Sequence, residues 1–411
     1  MPSPDAIGED YIRLAFRIEQ HVPGYVDAYF GPAELKEATL AEGRRPASML
    51  VREAQALAER VEGAGYPARR RTYLQKQILG METLARVLAG EQLPYREEVR
   101  RYFDIDPQPI PEEQFEAAIE ELETLLPGTG GIRERLAAWK KRFEVSPETA
   151  RQLIEIIAEE SRARTRQLYM LPEAERVAFR LVSDQPWSGY NWYYGDYSSG
   201  VDINTDLPIR ANTLTSLVCH EAYPGHHTEH SIKERDLWRG RGWAEHAIFL
   251  VNTPECVISE GIANTAQSII FDENELFGWQ ARELYPVARV EGDPERERRI
   301  AQASRRLAGV GGNAALLLHE QGAGAEEVVA YLMRYGLNTE QEARQRLRFI
   351  TSPLWRAYIF TYFYGEGLIR DWLAGGDRTA RFGTLLAEQV YPSLIEQWVI
   401  EERRGGCGLK A

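Results

Sequence analysis

Four of the chain's seven histidines fall within eleven residues, HEAYPGHHTEH, from His220 to His230. Imidazole nitrogens and carboxylate oxygens are the ligands zinc takes, and a catalytic zinc site keeps one position open. A glutamate beside a ligating histidine is placed to act as a base towards water. The common arrangement is H-E-x-x-H, two histidines four residues apart on one helix face. Here the fourth residue after His220 is Pro224, and the next histidines are His226 and His227. At about 1.5 Å and 100° per residue, a straight helix carries the sixth position about 9 Å along and about 120° round. The seventh returns to the same face about 10.5 Å away. Neither shares a metal with His220 unless the helix breaks. Pro224-Gly225 supplies the break, because proline removes a backbone donor and glycine tolerates unusual dihedrals. The pair can absorb two extra residues and return a later histidine to the metal.

HEAYPGHH resembles the HExxPGHH signature of the bacterial "domain of unknown function 885" family. That family is similar to the helical zinc peptidases, among them carboxypeptidase Taq and thimet oligopeptidase, which carry HExGH. Matching the Gly-His pairs implies His220 and His226 as zinc ligands and Glu221 as general base. His227 is the alternative ligand, or a contact to substrate. The family's second signature, an EG pair, matches Glu260-Gly261 in PECVISEGIANTAQSII and implies Glu260 as third ligand. The apolar pattern around Val257, Ile258, Ile262 and Ala263 puts Glu260 near a buried surface, where a carboxylate needs a partner. Related peptidases often have a carboxylate four residues later; this chain has Asn264, which can still hydrogen-bond a ligand. The resemblance extends to HVPGYVDAYFGP, to the segment around His319 and to the tyrosine-rich stretch near 355–367. It implies a zincin-like helical metallopeptidase architecture with a cleft, and an edge strand near Asp196, Tyr197 and Asn204 that holds substrate backbone.

His319 ends the apolar run ALLLH, and is read either as a core-edge residue or as a donor to a developing oxyanion. Tyr358 and Tyr362 share a helix face. They read as a core stripe or as substrate contacts, and Tyr362 best matches the family's Tyr-x-x-Gly. Cys219 is expected to be small and buried. Cys256, four before Glu260, is a weaker ligand candidate. Arg348, Arg356 and Arg370 are possible partners for a substrate carboxylate.

These residues need elements to carry them. Helical patterns with clear starts and stops include PEEQFEAAIEELETLLPG, SPETARQLIEIIAEESRARTRQLYMLPEAER, QASRRLAGVGGNAALLLHEQG and EEVVAYLMRYG. Arg176–Pro208 is rich in aromatic and β-branched residues broken by Gly, Pro, Asn and Asp, which predicts short strands and tight turns. The sheet leads into the motif helix ANTLTSLVCHEAY. The expected fold is mainly α with a small β-sheet. A helical part spans 1–172, and the sheet with the catalytic helical part spans 173–411.

The bulk numbers bound the function. The 411 residues carry a net charge of -13, which argues against nucleic acid or an anionic membrane as partner. No segment reaches the roughly 20 apolar residues of a membrane span. Cys219, Cys256 and Cys407 are too few for a disulfide framework, and MPSPDAIGEDYIRLAF has no secretory pattern. Both suit a cytoplasmic protein. The expected activity is hydrolysis of a peptide or small amide using Zn²⁺, His220, His226, Glu260 and Glu221. A non-peptide amidase and a silent scaffold with a structural metal are the alternatives. A fourth protein ligand from His227 would favour the scaffold.

Overall fold

Proline placement sets many of the helix starts. Helices Ala33–Ala41, Ala47–Gly63, Ala68–Leu88, Tyr95–Phe103 and Glu112–Leu125 each begin directly after a proline. Its fixed φ pre-forms the entry, and its missing N–H is one the first turn leaves unpaired anyway. Helix Pro147–Leu168 adds a side-chain cap: Ser146 accepts the N–H of Thr149. The computed structural model describes residues 2, 4–185 and 187–405. Cys407 and the rest of the tail from 406 lie outside the described residues.

The chain is mainly helical with a small sheet within 176–208, as expected, and a second, two-stranded sheet that was not expected. The run QASRRLAGVGGNAALLLHEQG divides into helices Pro294–Arg305 and Val310–His319, joined by a turn in which Leu307, Ala308 and Val310 bond three residues back. Three glycines, at 309, 311 and 312, lower helix propensity at this point.

Strands β1 (Val26–Tyr29), β2 (Arg176–Val182), β3 (Gly189–Gly195), β4 (Ser198–Asn204) and β5 (Ile248–Leu250) make the two sheets. β4 is central, parallel to β2 and antiparallel to β3. β1 pairs antiparallel with β5, more than two hundred residues later. The β3–β4 turn puts Asp196 and Tyr197 at positive φ, 51° and 57°, as a hairpin of right-handed twist requires. Buried Glu234 holds this turn, accepting from the backbone N–H of Asp196 and Tyr197 and from the Tyr193 hydroxyl.

Two apolar cores run through the molecule. One joins Ile12, Phe16, Leu50, Met81 and Phe103 of the N-terminal helices to Trp238, Val257 and Phe360. The other joins Phe143, Leu153 and Ile157 to Val201, Val218, Ile262 and Phe382. Helix Pro254–Ile270 contributes Val257 to the first and Ile258, Ile262 and Ala266 to the second. It is therefore buried on almost every face, which explains its apolar sequence all round. Helix Ile359–Ala374 crosses it where Gly261 meets Gly365; a Cβ on Gly365 would lie 2.2 Å from the Val257 carbonyl.

Candidate metal centre

The motif helix Ala211–Glu221 stops where the sequence inserts its two extra residues. The backbone then closes a wide turn. The N–H of Gly225 bonds the Cys219 carbonyl at 3.0 Å, and the N–H of Thr228 bonds the Ala222 carbonyl at 3.2 Å. Both bonds span six residues where a helix spans four. The Tyr223-Pro224 peptide is cis. Gly225 is required by space: a Cβ there would sit 1.9 Å from the His220 carbonyl oxygen. Helix His226–Lys233 starts immediately afterwards.

The turn brings His226 back beside His220. Their ring centroids lie 4.8 Å apart with planes at 87°. Glu260, from the shared buried helix, completes a group in which one ligand atom of each residue lies within 4.8 Å of the others. His220 Nε2 and Glu260 Oε2 are 3.6 Å apart. Two atoms bound at about 2.1 Å to one tetrahedral zinc lie about 3.4 Å apart.

The protonation of the group fits a cation. Glu260 Oε1 accepts from the Tyr358 hydroxyl at 3.0 Å, while Oε2 is buried without a hydrogen-bond partner. Burial drives Glu260 up to about 8, with Asp27 and Glu229 adding to the rise and Tyr358 opposing it. Burial likewise pushes His220 down to about 3 and His226 down to about 4, so both imidazoles are neutral. His226 Nδ1 lies 3.1 Å from Ser259 Oγ, and that hydroxyl donates to Glu229 Oε2 at 2.6 Å. The serine has one proton, so His226 must carry its own on Nδ1 and leave the Nε2 lone pair free. Two neutral imidazoles and a carboxyl group with one orphaned oxygen suit Zn²⁺, whose charge would hold that group ionised. Asn264, four residues after Glu260, opposes the lowering of His220. Asn264 in turn donates to the Tyr362 carbonyl at 3.1 Å.

Glu221 lies beside the group. Its side chain has no hydrogen-bond partner among the described residues, and the residue is 6 % exposed. Burial, then Glu260 and Asp27, push it up to about 8. β3 passes close by: a Cβ on Gly189 would lie 3.2 Å from Glu221 Oε1, and Asn191 Nδ2 donates to the Glu221 carbonyl at 2.7 Å.

The remaining expected residues divide. Tyr358 touches Glu260, and its ring packs edge-on against Tyr362, which is 38 % exposed. His227 points elsewhere. It is fully buried, with Nδ1 on Ser199 Oγ at 2.8 Å and Nε2 on Glu175 Oε2 at 3.2 Å. A side chain with no accessible surface reaches no substrate, so the expected substrate contact is corrected to a structural role. His319 bonds the Ile350 carbonyl at 2.6 Å and packs its ring on Tyr95. Those contacts are the core-edge reading and do not bring it to the group. The Cys219 thiol is buried, and the Cys256 thiol donates to the Leu250 carbonyl. Arg356 and Arg370 are engaged by Glu98 and Glu366. Asp196 and Tyr197 form the pinned turn, and Asn204 is buried with its amide on the carbonyls of Gln185 and Trp187.

Sequence reasoning missed three features. Asp27 and Tyr190, joined by a hydrogen bond, stand close enough to the site to act on Glu221. Glu229 is fully buried and bonds Ser259 and Lys233. Lys233 continues to Glu255 at 3.1 Å. The signals were present but ordinary: an acid in HVPGYVDAYFGP, and a serine immediately before Glu260.

No protein-family model matches the chain, and no curated protein matches it significantly. Solved structures do. A provisionally named lipoprotein from Colwellia psychrerythraea aligns with a TM-score of 0.52 at 16 % identity, over 86 % of this chain and 66 % of that one. The chain thus spans about two thirds of that relative's length. A provisionally named lipoprotein of unknown function from Shewanella oneidensis aligns with a TM-score of 0.49 at 12 % identity, over 89 % and 76 %. An M32 carboxypeptidase from Deinococcus radiodurans R1 aligns with a TM-score of 0.41 at 11 % identity, over 95 % and 94 %. The Colwellia likeness is one of fold. Among the described residues no helix is long and apolar enough to cross a membrane.

Proposed function

We propose that the chain is a zinc-dependent hydrolase of amide bonds, with peptides as its substrates. One observation carries the reading: His220, His226 and Glu260 converge with Glu260 Oε2 orphaned, beside an unbonded Glu221. His220, His226 and Glu260 would hold the ion. When bound, zinc supplies Lewis acidity that makes a water nucleophilic near neutral pH. A divalent charge there opposes the upward shift of Glu221 and favours its carboxylate form. Glu221 then takes the proton of the attacking water and returns it to the leaving amine. Tyr358 orients Glu260 through its hydroxyl. Tyr362, exposed beside it, donates to the oxyanion that develops on the substrate carbonyl. A fourth ligand from His227 would have favoured the scaffold alternative; the engagement of His227 by Glu175 removes that support.

The test combines plasma mass spectrometry with a peptide-library screen. About one zinc per chain is expected in the parent protein, lost in His226→Ala and kept in Glu221→Gln. Turnover in Glu221→Gln should fall by about 10²–10⁴. A parent protein that takes up no zinc, or a glutamine variant that cleaves undiminished, overturns the reading.

A further inference from the structure

Glu221, Glu260, Glu229 and Asp27 all act on this site. Glu221 and Glu260 have a role and Glu229 bonds Lys233 and Ser259, which leaves Asp27, on β1. The β1–β5 register pairs Val26 with Leu250 and Ala28 with Phe249, so Asp27 is the extra residue of a β-bulge. A bulge re-aims a side chain out of the alternation its strand would impose. Here it turns the Asp27 carboxylate onto the hydroxyl of Tyr190, which donates to Oδ1. Tyr190 follows Gly189, the residue of β3 that passes against Glu221. Its ring is held by Trp187 and Trp192, with centroids 5.5 and 4.6 Å away. β5, the partner of β1, leads within a few residues into helix Pro254–Ile270, which carries Glu260. The bulge thus ties Asp27, through Tyr190, to the strand that passes against Glu221.

Asp27 has no cationic partner within 4.0 Å among the described residues, and its single bond comes from a neutral hydroxyl. It also keeps part of its surface open. Burial raises its carboxyl to about 6 with only Tyr190 opposing, since no arginine or lysine is near enough to lower it. A divalent ion balances Glu221 and Glu260 and leaves Asp27 uncompensated. A carboxylate so placed favours one more positive charge, which a substrate ammonium group would bring.

We infer that Asp27 is an anchor for a substrate ammonium group, with Tyr190 as the positioning residue that fixes its carboxylate. The substrates are then peptides presenting a primary amine, at a free N-terminus or on a lysine side chain. The inference rests on the hydrolase reading and narrows it.

The test measures calorimetric binding of three hydroxamates to zinc-loaded protein. One is alanyl hydroxamate with a free amine, one is N-acetylalanyl hydroxamate, and one is N-acetyl-lysyl hydroxamate. The parent protein should bind an ammonium-bearing compound about ten- to hundredfold tighter than the uncharged one. A preference for the first compound assigns the N-terminus, and one for the third assigns the lysine side chain. Asp27→Asn should erase the preference with zinc content unchanged, and Tyr190→Phe should weaken it. No preference in the parent protein, or one that survives Asp27→Asn and Tyr190→Phe, overturns the anchor. Peptide cleavage without a preference removes the anchor and keeps the hydrolase. A preference without cleavage of any peptide does the reverse. A chain that takes up no zinc removes both.

Discussion

Ser259 shows how one hydroxyl decides what its neighbour can do. Because it donates to Glu229, it must accept from His226 Nδ1, and Nε2 is left with its lone pair. Ser259→Ala removes that constraint and leaves an oxygen of buried Glu229 unpaired. Zinc affinity should fall about 10–100-fold, read by competition with a chromophoric chelator; unchanged affinity would show that the tautomer is set by something else. Glu175 makes the companion case for stability. Burial pushes its carboxyl up, but hydrogen bonds from His227, Tyr223, Arg162 and Arg166 outweigh burial and hold it at about 2. A folded pKa below the ordinary 4.5 means stability that is present above the unfolded value and lost as pH falls towards 2. Buried His227, also shifted down, acts in the same direction, since unfolding lets it take a proton. Glu175→Gln should cost roughly 1–3 kcal/mol at pH 7. Urea melts should show that deficit shrinking between about pH 5 and pH 2; a deficit constant with pH would remove the carboxylate from the account.

Among the elements, the wide turn from Glu221 to His226 is the most exacting. Its two six-residue bonds bring the backbone against itself at Gly225, where any side chain overlaps the His220 carbonyl. Gly225→Ala is expected to cost about 3 kcal/mol or more and to release the metal, because the turn must open to admit the methyl. A thermal melt with metal analysis checks this; a variant that keeps both parental stability and zinc would show that the turn yields. Much of this level was readable in the sequence. Helices 112–125, 147–168 and 211–221, and three strands within 176–208, follow from local spacing, caps and breakers. So does the need for a break at Pro224-Gly225. The β1–β5 ladder was not readable, because Val26–Tyr29 finds its partner more than two hundred residues away. Asp27 was missed for that reason. His227 was misjudged because nothing in HEAYPGHH reveals that Glu175 waits behind it.

At the scale of the molecule, the ligand helix is a wall common to both apolar cores. Residues 1–172 and 173–411 contribute to each, and we propose that they unfold together. Zinc that binds only the folded chain raises its stability by about 2.7 kcal/mol at a hundred times its dissociation constant. Calorimetry should therefore give one transition that moves upward as a unit with added zinc. Two transitions, with only one moving, would mean that the cores melt independently.

The ladder between β1 and β5 also makes the start of translation matter. A chain initiated downstream of Tyr29 would lack Asp27 and the only strand paired with Ile248–Leu250 among the described residues. The backbone groups of an Ile-Phe-Leu edge would then face solvent, a template for pairing with another copy. Shortened clones would thus fail by self-association, and their precipitation would say nothing about the metal chemistry they were made to test.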